Sequence, residues 1–212
     1  MTYQELQDTI SSYAHRANAQ VGSLIPRWIG WAGKRIAQDL HTADTTRVYK
    51  MTETDRNDGP FYNQPSDFLG MKRLRTTDDL VLRPMGQNEI SRFTGAGTPV
   101  GYYTVADLFE IRPTPATDTE FWLEYWAELS VLTGANDTND VLTRNPELYV
   151  YCCLRELYTW VRDWDTYGQA DGKYKQLIAE LNAAEETRRY GAGVSIQTTY
   201  NPALQGPTWG SY

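Results

Sequence analysis

Three glutamates stand four residues apart, Glu120, Glu124 and Glu128, and two tryptophans, Trp122 and Trp126, alternate with them. A pair of carboxyl groups is what glycoside hydrolysis needs, one as acid and the other as base or nucleophile. Along a β-strand all five side chains share one face, because successive residues point to opposite sides. The chemistry on offer is therefore sugar binding on Trp122 and Trp126, or hydrolysis by Glu124 and Glu128. The plainer account is an exposed strand face whose charges discourage edge-to-edge aggregation, and it is preferred.

Other reactive groups are scattered. His15 and His41 fall on different elements and HExxH is absent, so no metal site is expected. Asp137-Thr-Asn-Asp140 carries oxygen ligands but lacks the glycine and closing glutamate of an EF-hand, and helix capping by Asn139 or Asp140 accounts for it. Gly95-Ala-Gly97 precedes Pro99, so it makes a turn and does not open a helix onto a phosphate. Cys152 and Cys153 are adjacent and point about 100° apart on a helix, which disfavours a disulfide. Both are expected to be buried thiols, in a reduced compartment. Asn136-Asp-Thr138 matches a glycosylation sequon by chance. No catalytic, cofactor or metal site is expected, and no enzyme.

The elements that position these groups can be read from periodicity. Val150, Cys153, Leu154, Leu157, Trp160, Val161 and Trp164 form one helical face opened by Asn145 and Pro146. Arg155, Glu156, Arg162 and Asp163 are left for water. A second long helix follows over 166–189, with Gly191 as its C′ residue. At the other end of the chain, Thr2 and Glu5 form a capping box for a helix over 3–17. Pro26 opens another that runs to Leu40, where Ala32 and Gly33 leave room for a close neighbour. Between these ends, residues 46–53, 69–77 and 80–85 read as strands, 101–112 as a hairpin, and 119–129 as a strand in preference to a helix, given its β-branched and aromatic residues with Pro113 and Pro115 upstream. Asp78-Asp79 forms a tight turn, TDRNDGP a turn, and Gln87 to Phe93 a short helix.

The fold class is thus α+β. A four-helix bundle from the two chain ends, 1–44 and 131–190, carries an inserted antiparallel β region over 45–130, a small sandwich or barrel. An extended C-terminal arm covers 191–212. In that arm Tyr200, Leu204, Trp209 and Tyr212 stand on a Pro/Gly frame. The chain has 7 Trp and 15 Tyr against 5 Phe, a balance that suits interfaces as well as cores. The net charge is -7. Residues 1–40 carry four basic and three acidic groups, 41–130 nine and fourteen, and 131–212 seven and ten. No segment is a basic patch, which argues against affinity for DNA or RNA but leaves room for an acidic wall past which DNA slides. No signal peptide or apolar run of spanning length is present, so a soluble protein made in a cytoplasm is expected.

The order of short motifs resembles the head-to-tail adaptor (connector) family of short-tailed bacteriophages. The similar pieces run over about residues 3–190: Leu6 and Ile10, then Ile25-Pro26-Arg27-Trp28-Ile29, Ala32 and Arg35-Ile36. Gln64-Pro65-Ser66-Asp67-Phe68-Leu69 follows, with Gln64 where the family pattern has leucine. Gly97-Thr98-Pro99 before Tyr102-Tyr103, Ile111-Arg112-Pro113-Thr114-Pro115, Tyr125-Trp126-Ala127, and Thr138-Asn139 through Asn145-Pro146-Glu147-Leu148-Tyr149 complete the series. The resemblance implies a structural virion protein at the head-tail junction, in a ring of twelve copies. Its partners would be the portal protein, a tail or nozzle protein and neighbouring copies, with DNA passing through the lumen and no membrane anchor. Tyr190, Tyr200, Leu204, Trp209, Tyr212, Trp122 and Trp126 are the expected contact residues. A carbohydrate- or receptor-binding module of a phage tail, built on Trp122 and Trp126, is the alternative.

Overall fold

The computed structural model describes residues 1–14 and 19–190. Its first helix, α1 (Tyr3–Tyr13), starts on the capping box: the Glu5 N–H donates to Thr2 Oγ1 at 3.3 Å and the Thr2 N–H to Glu5 Oε2 at 2.8 Å. Two further N-terminal donors find a loop from the far end of the sequence. The Tyr3 N–H reaches the Asp137 carbonyl at 2.9 Å, and the Gln4 N–H that of Ala135 at 3.0 Å. The helix stops short of the expected Ala17, because Ala14 already takes the non-helical C-cap conformation, and residues 15–17 fall outside the described residues.

Helix α2 (Ala19–Asp39) corrects the expectation that Pro26 opens it: Pro26 lies inside, and Gly22 and Ser23 do not break the helix. Val21, Ile25, Trp28, Ile29, Ala32 and Ile36 form one buried stripe that crosses the proline. An interior proline costs about 3 kcal/mol. Burying Val21 and Ile25 returns roughly 1.5–3 kcal/mol each, so the first two turns hold.

Strands β1 (Thr46–Met51), β2 (Arg56–Asp58), β3 (Phe61–Asn63), β4 (Phe68–Thr76) and β5 (Val81–Pro84) follow, then the short α3 (Gln87–Ile90), β6 (Gly101–Val105), β7 (Leu108–Arg112) and β8 (Phe121–Ala127). They make one eight-stranded curled sheet in the order β1-β8-β4-β5-β6-β7-β3-β2. Every pairing is antiparallel except β5 with β6. There a Cβ on Gly101 would meet the Arg83 carbonyl at 2.8 Å, so only glycine fits. The turn at Asp78-Asp79 is as expected, with Asp79 at φ 62°. The TDRNDGP stretch holds more than a turn, since Arg56–Asp58 pairs with β3 as a strand. Gln64 donates to the Ala106 carbonyl at 3.2 Å, which ties this loop to the β6–β7 turn.

The helices α4 (Asp140–Arg144), α5 (Pro146–Val161) and α6 (Trp164–Tyr190) close the described chain. Asn139 caps α4 by accepting the Leu142 N–H at 2.8 Å. Pro146 takes the first position of α5, but the Asn145 side chain makes no cap hydrogen bond.

Two apolar cores result. Met51, Tyr62, Leu74, Leu82, Phe109, Phe121 and Leu123 fill the inside of the curled sheet. Leu6 and Ile10 of α1, Ile29 and Ile36 of α2, and Ala170 and Tyr174 of α6 meet around Cys153, Leu154 and Leu157 of α5. So α5 is the helix on which α1, α2 and α6 converge. At Gly33 of α2 the Tyr149 side chain of α5 comes near, its hydroxyl 3.3 Å from the place a Cβ would take.

Two expectations for α5 need correction. Arg155, assigned to water, is 7% exposed, with its Nε 2.9 Å from Asp171 Oδ1 and its guanidinium over the Tyr174 ring at 5.1 Å. Trp160, Val161 and Trp164, assigned to the buried face, are 43%, 48% and 63% exposed. The chain reverses at Arg162, which takes a left-handed φ of 59°, so Trp164 belongs to the next helix. The last turn of α5 extends past its cover.

Candidate interaction surfaces

Strand β8 carries Trp122, Glu124 and Trp126, and Glu120 and Glu128 flank it. Its burial alternates without exception from Phe121 to Ala127, odd residues inside and even residues half-exposed. The strand assignment holds, and Glu124 and Trp122 face outward as expected. Their chemistry is largely engaged. Lys50 of β1 makes an ion pair with Glu120 at 2.7 Å and lies 5.9 Å from the Trp122 ring centre. Residues four apart on a strand are about 13 Å apart along it, wider than the carboxylate separations used in glycoside hydrolysis.

Trp126 sits where helices and sheet meet. The His41 ring packs edge-on against it with centres 4.9 Å apart, and its Nε1 is buried without a partner among the described residues. A cleft of about 320 Å³ is bounded by these two rings and by Asn182, Glu185, Glu186 and Arg189 of α6. The end of α6 therefore lies over the outer face of the sheet. Burial works against the Glu185 carboxylate, but hydrogen bonds from Arg188 and Arg189 hold its carboxyl below the usual range. Lys72 of β4 reaches Thr46 Oγ1 at 3.5 Å. Burial pulls its ammonium down, and Arg189 adds to that.

Asn182 fixes this junction. Its Nδ2 donates to the Asp39 carbonyl at 3.1 Å, and its Oδ1 accepts the His41 N–H at 2.8 Å. One side chain of α6 thus satisfies both backbone groups where α2 ends and the chain leaves for β1. The Tyr174 hydroxyl adds a bond to Asp39 Oδ2 at 2.9 Å.

The reversal between α5 and α6 presents a second surface, unforeseen in the sequence. Trp160, Val161 and Trp164 stand out together, with Tyr13 of α1 46% exposed. Trp164 meets Tyr167 edge-on at 6.1 Å. The signal that could have located it is the residue pair Arg162-Asp163. Asp163 accepts from the Thr166 N–H at 3.1 Å and the Thr166 hydroxyl at 2.7 Å, the pattern of a helix start.

Of the remaining expected contact residues, Tyr200, Leu204, Trp209 and Tyr212 lie outside the described residues. So does His15, and the side chain of Tyr190 is not described. Among the described residues no cluster of His, Cys, Asp and Glu could hold a metal ion. The Asp137 carboxylate instead accepts the Thr133 and Gly134 N–H groups, at 2.8 and 2.7 Å. No described helix is long and apolar enough to cross a membrane.

The two cysteines are buried and unbonded. Burial pushes the Cys152 thiol up to about 12 and Cys153 well above its ordinary value. Thiols so protonated are poor nucleophiles. Iodoacetamide at pH 8 is expected to leave both unmodified in the folded protein and to alkylate both in denaturant, as read by intact mass.

A family model described as SU10 adaptor protein matches residues 1–197. No curated protein matches the chain.

Proposed function

Since this chain belongs to the SU10 adaptor protein family, a family of phage head-tail adaptors, we propose that it joins the portal to the tail or nozzle as a ring lining the DNA channel. The family match over 197 of 212 residues carries this reading. In it, the helices of 1–44 and 131–190 act as one bundle, 45–130 is a β domain carried between them, and 191–212 is an arm. The copy number of twelve follows the family resemblance.

Physical features support the assignment. Side-to-side contacts that repeat and close make a ring, and the exposed Trp160, Trp164 and Tyr13 suit such a contact, since aromatic residues are enriched at interfaces. Trp122 and Trp126 on the outer sheet face, with Tyr190, Tyr200, Leu204, Trp209 and Tyr212 at the chain end, are further contact residues. A net charge of -7 suits a channel through which phosphate must slide without sticking. The role is structural and places the protein in the virion at the head-tail junction.

Mixing the purified protein with its portal and imaging by negative stain tests this. The expected result is a coaxial ring added to the portal. Free monomers beside an unchanged portal would overturn the assignment. Removing residues 191–212 is expected to abolish attachment, and unchanged attachment would take the arm out of the scheme.

A further inference from the structure

The sheet has two ends, and they differ. Strand β2 is three residues long, carries Arg56 and Asp58, and pairs irregularly with β3. Short charged strands of this kind are ordinary edge protection. Strand β1 at the other end is six residues long and, among the described residues, pairs with β8 on one side only. Its phase can be worked out from its two ends. The Thr46 N–H donates to the Ala43 carbonyl, and the Thr52 N–H to Asp55 Oδ2 at 2.8 Å. Neither donates to β8. Backbone groups alternate sides along a strand, so Val48 and Lys50 also direct their N–H and C=O groups away from β8. Neither residue has a backbone partner there among the described residues.

The charges that usually guard an edge are occupied. Arg47 lies 3.3 Å from Asp67, and Lys50 is held by Glu120 at 2.7 Å. Val48 stands between them 60% exposed. An unguarded edge of this kind is a template for one more strand.

The chain itself contains a matching segment. Val194-Ser-Ile-Gln-Thr-Thr-Tyr200 alternates Val194, Ile196, Thr198 and Tyr200, is rich in β-branched residues and carries no charge. Gly191-Ala-Gly193 precedes it and Asn201-Pro202 follows, so its limits are marked on both sides. The departure point is also close. Arg189, near the end of α6, borders the cleft with Trp126, which pairs with Thr46 at the start of β1. Three linker residues span up to about 10 Å.

We propose that the free edge of β1 is the seat of residues 194–200, which add a ninth strand through the N–H and C=O groups of Val48 and Lys50. The seat is independent of the adaptor reading. It fixes the root of the C-terminal segment and leaves Trp209 and Tyr212 beyond it for other contacts.

Hydrogen exchange in the full-length protein tests this. The Val48 and Lys50 amides are expected to exchange roughly tenfold or more slowly than the same amides in an Ile196→Pro variant, because proline removes a donor and breaks the added ladder. Excess peptide of sequence 193–201 should restore the protection. The thermal midpoint of Ile196→Pro, expected to match that of the natural chain, separates loss of the added strand from loss of the fold. A second variant, Val48→Pro, keeps the bonds of β1 to β8, since its missing N–H is the outward one, and should abolish peptide binding. Fast exchange of both amides in the natural chain overturns the proposal. Protection that persists in both Ile196→Pro and Gln197→Pro does so too, because one of these two N–H groups must face β1 and something else then covers the edge.

Discussion

Replacing Asp171 with leucine is expected to destabilise the protein by about 3–5 kcal/mol, the usual consequence of leaving a buried charge without its partner. The stranded charge is Arg155, which lies on α5, is 7% exposed and faces Asp171 of α6 at 2.9 Å. Among the described residues neither Arg155 Nε nor Asp171 Oδ1 has a well-aligned hydrogen bond, so the pair rests on charge attraction, on the Tyr174 ring beneath the guanidinium and on a hydrogen bond of Arg155 to Tyr167. In a chain of this length about 1 kcal/mol moves the thermal midpoint by roughly 2–4 °C. The expected drop is therefore on the order of 10 °C. Arg155→Met should cost less, because Asp171 keeps Lys175 at 2.7 Å and reaches solvent. The double replacement should recover most of the loss, since an apolar pair can fill the space of a buried ion pair at little cost. Additive losses in the double variant would show that the two residues act separately.

The second large effect runs along β8. Phe121→Ala should cost about 3–5 kcal/mol, because Phe121 is fully buried between Met51 and Thr76 on the neighbouring strands and packs edge-on against Tyr62 at 5.4 Å. Leu123→Ala should cost about 2–5 kcal/mol. Trp122→Ala, on the other face, should cost less despite removing the larger side chain, because its ring is only partly buried and lies outside the core. Urea denaturation of an alanine series over 121–127 should thus show losses that alternate with a period of two. A period near four would contradict the strand.

That period was legible in the residues themselves. Phe121, Leu123, Tyr125 and Ala127 alternate with Trp122, Glu124 and Trp126, and a strand with one wet face has no other way to place them. The capping box at Thr2 and Glu5, the Asn139 cap and the turn at Asp79 were legible for the same reason: each depends on neighbours within a few residues. The parallel pairing of β5 with β6 was not, because it depends on α3 and the loop after it carrying the chain back beside β5. Strand β2 was hidden in turn-forming residues and exists only because β3 lies alongside.

The candidate surfaces divide along the same line. Trp122 and Trp126 could be named from the alternation, but their surroundings could not. Lys50 comes from β1 and His41 from the end of α2, both distant in sequence. The exposed group at Trp160 and Trp164 was assigned to the core because periodicity reports which residues share a face, and says nothing about where the covering helix stops. Arg155 was assigned to water because a charged residue usually is. Only its position opposite Asp171, across the α5–α6 contact, makes its burial tolerable.

By itself the sequence determined the α+β class, the inward face of β8, the inward positions Val150, Cys153, Leu154 and Leu157 of α5, and the motif order that resembles head-to-tail adaptors. These follow from local spacing, which fixes a side chain's direction relative to its own backbone. The tertiary structure decided which inward faces meet, that α5 is the helix the others share, that Asn182 closes the passage from helix to sheet, and that β1 has a partner strand on one side only among the described residues. These depend on distances between residues far apart in the chain, and no local spacing contains them.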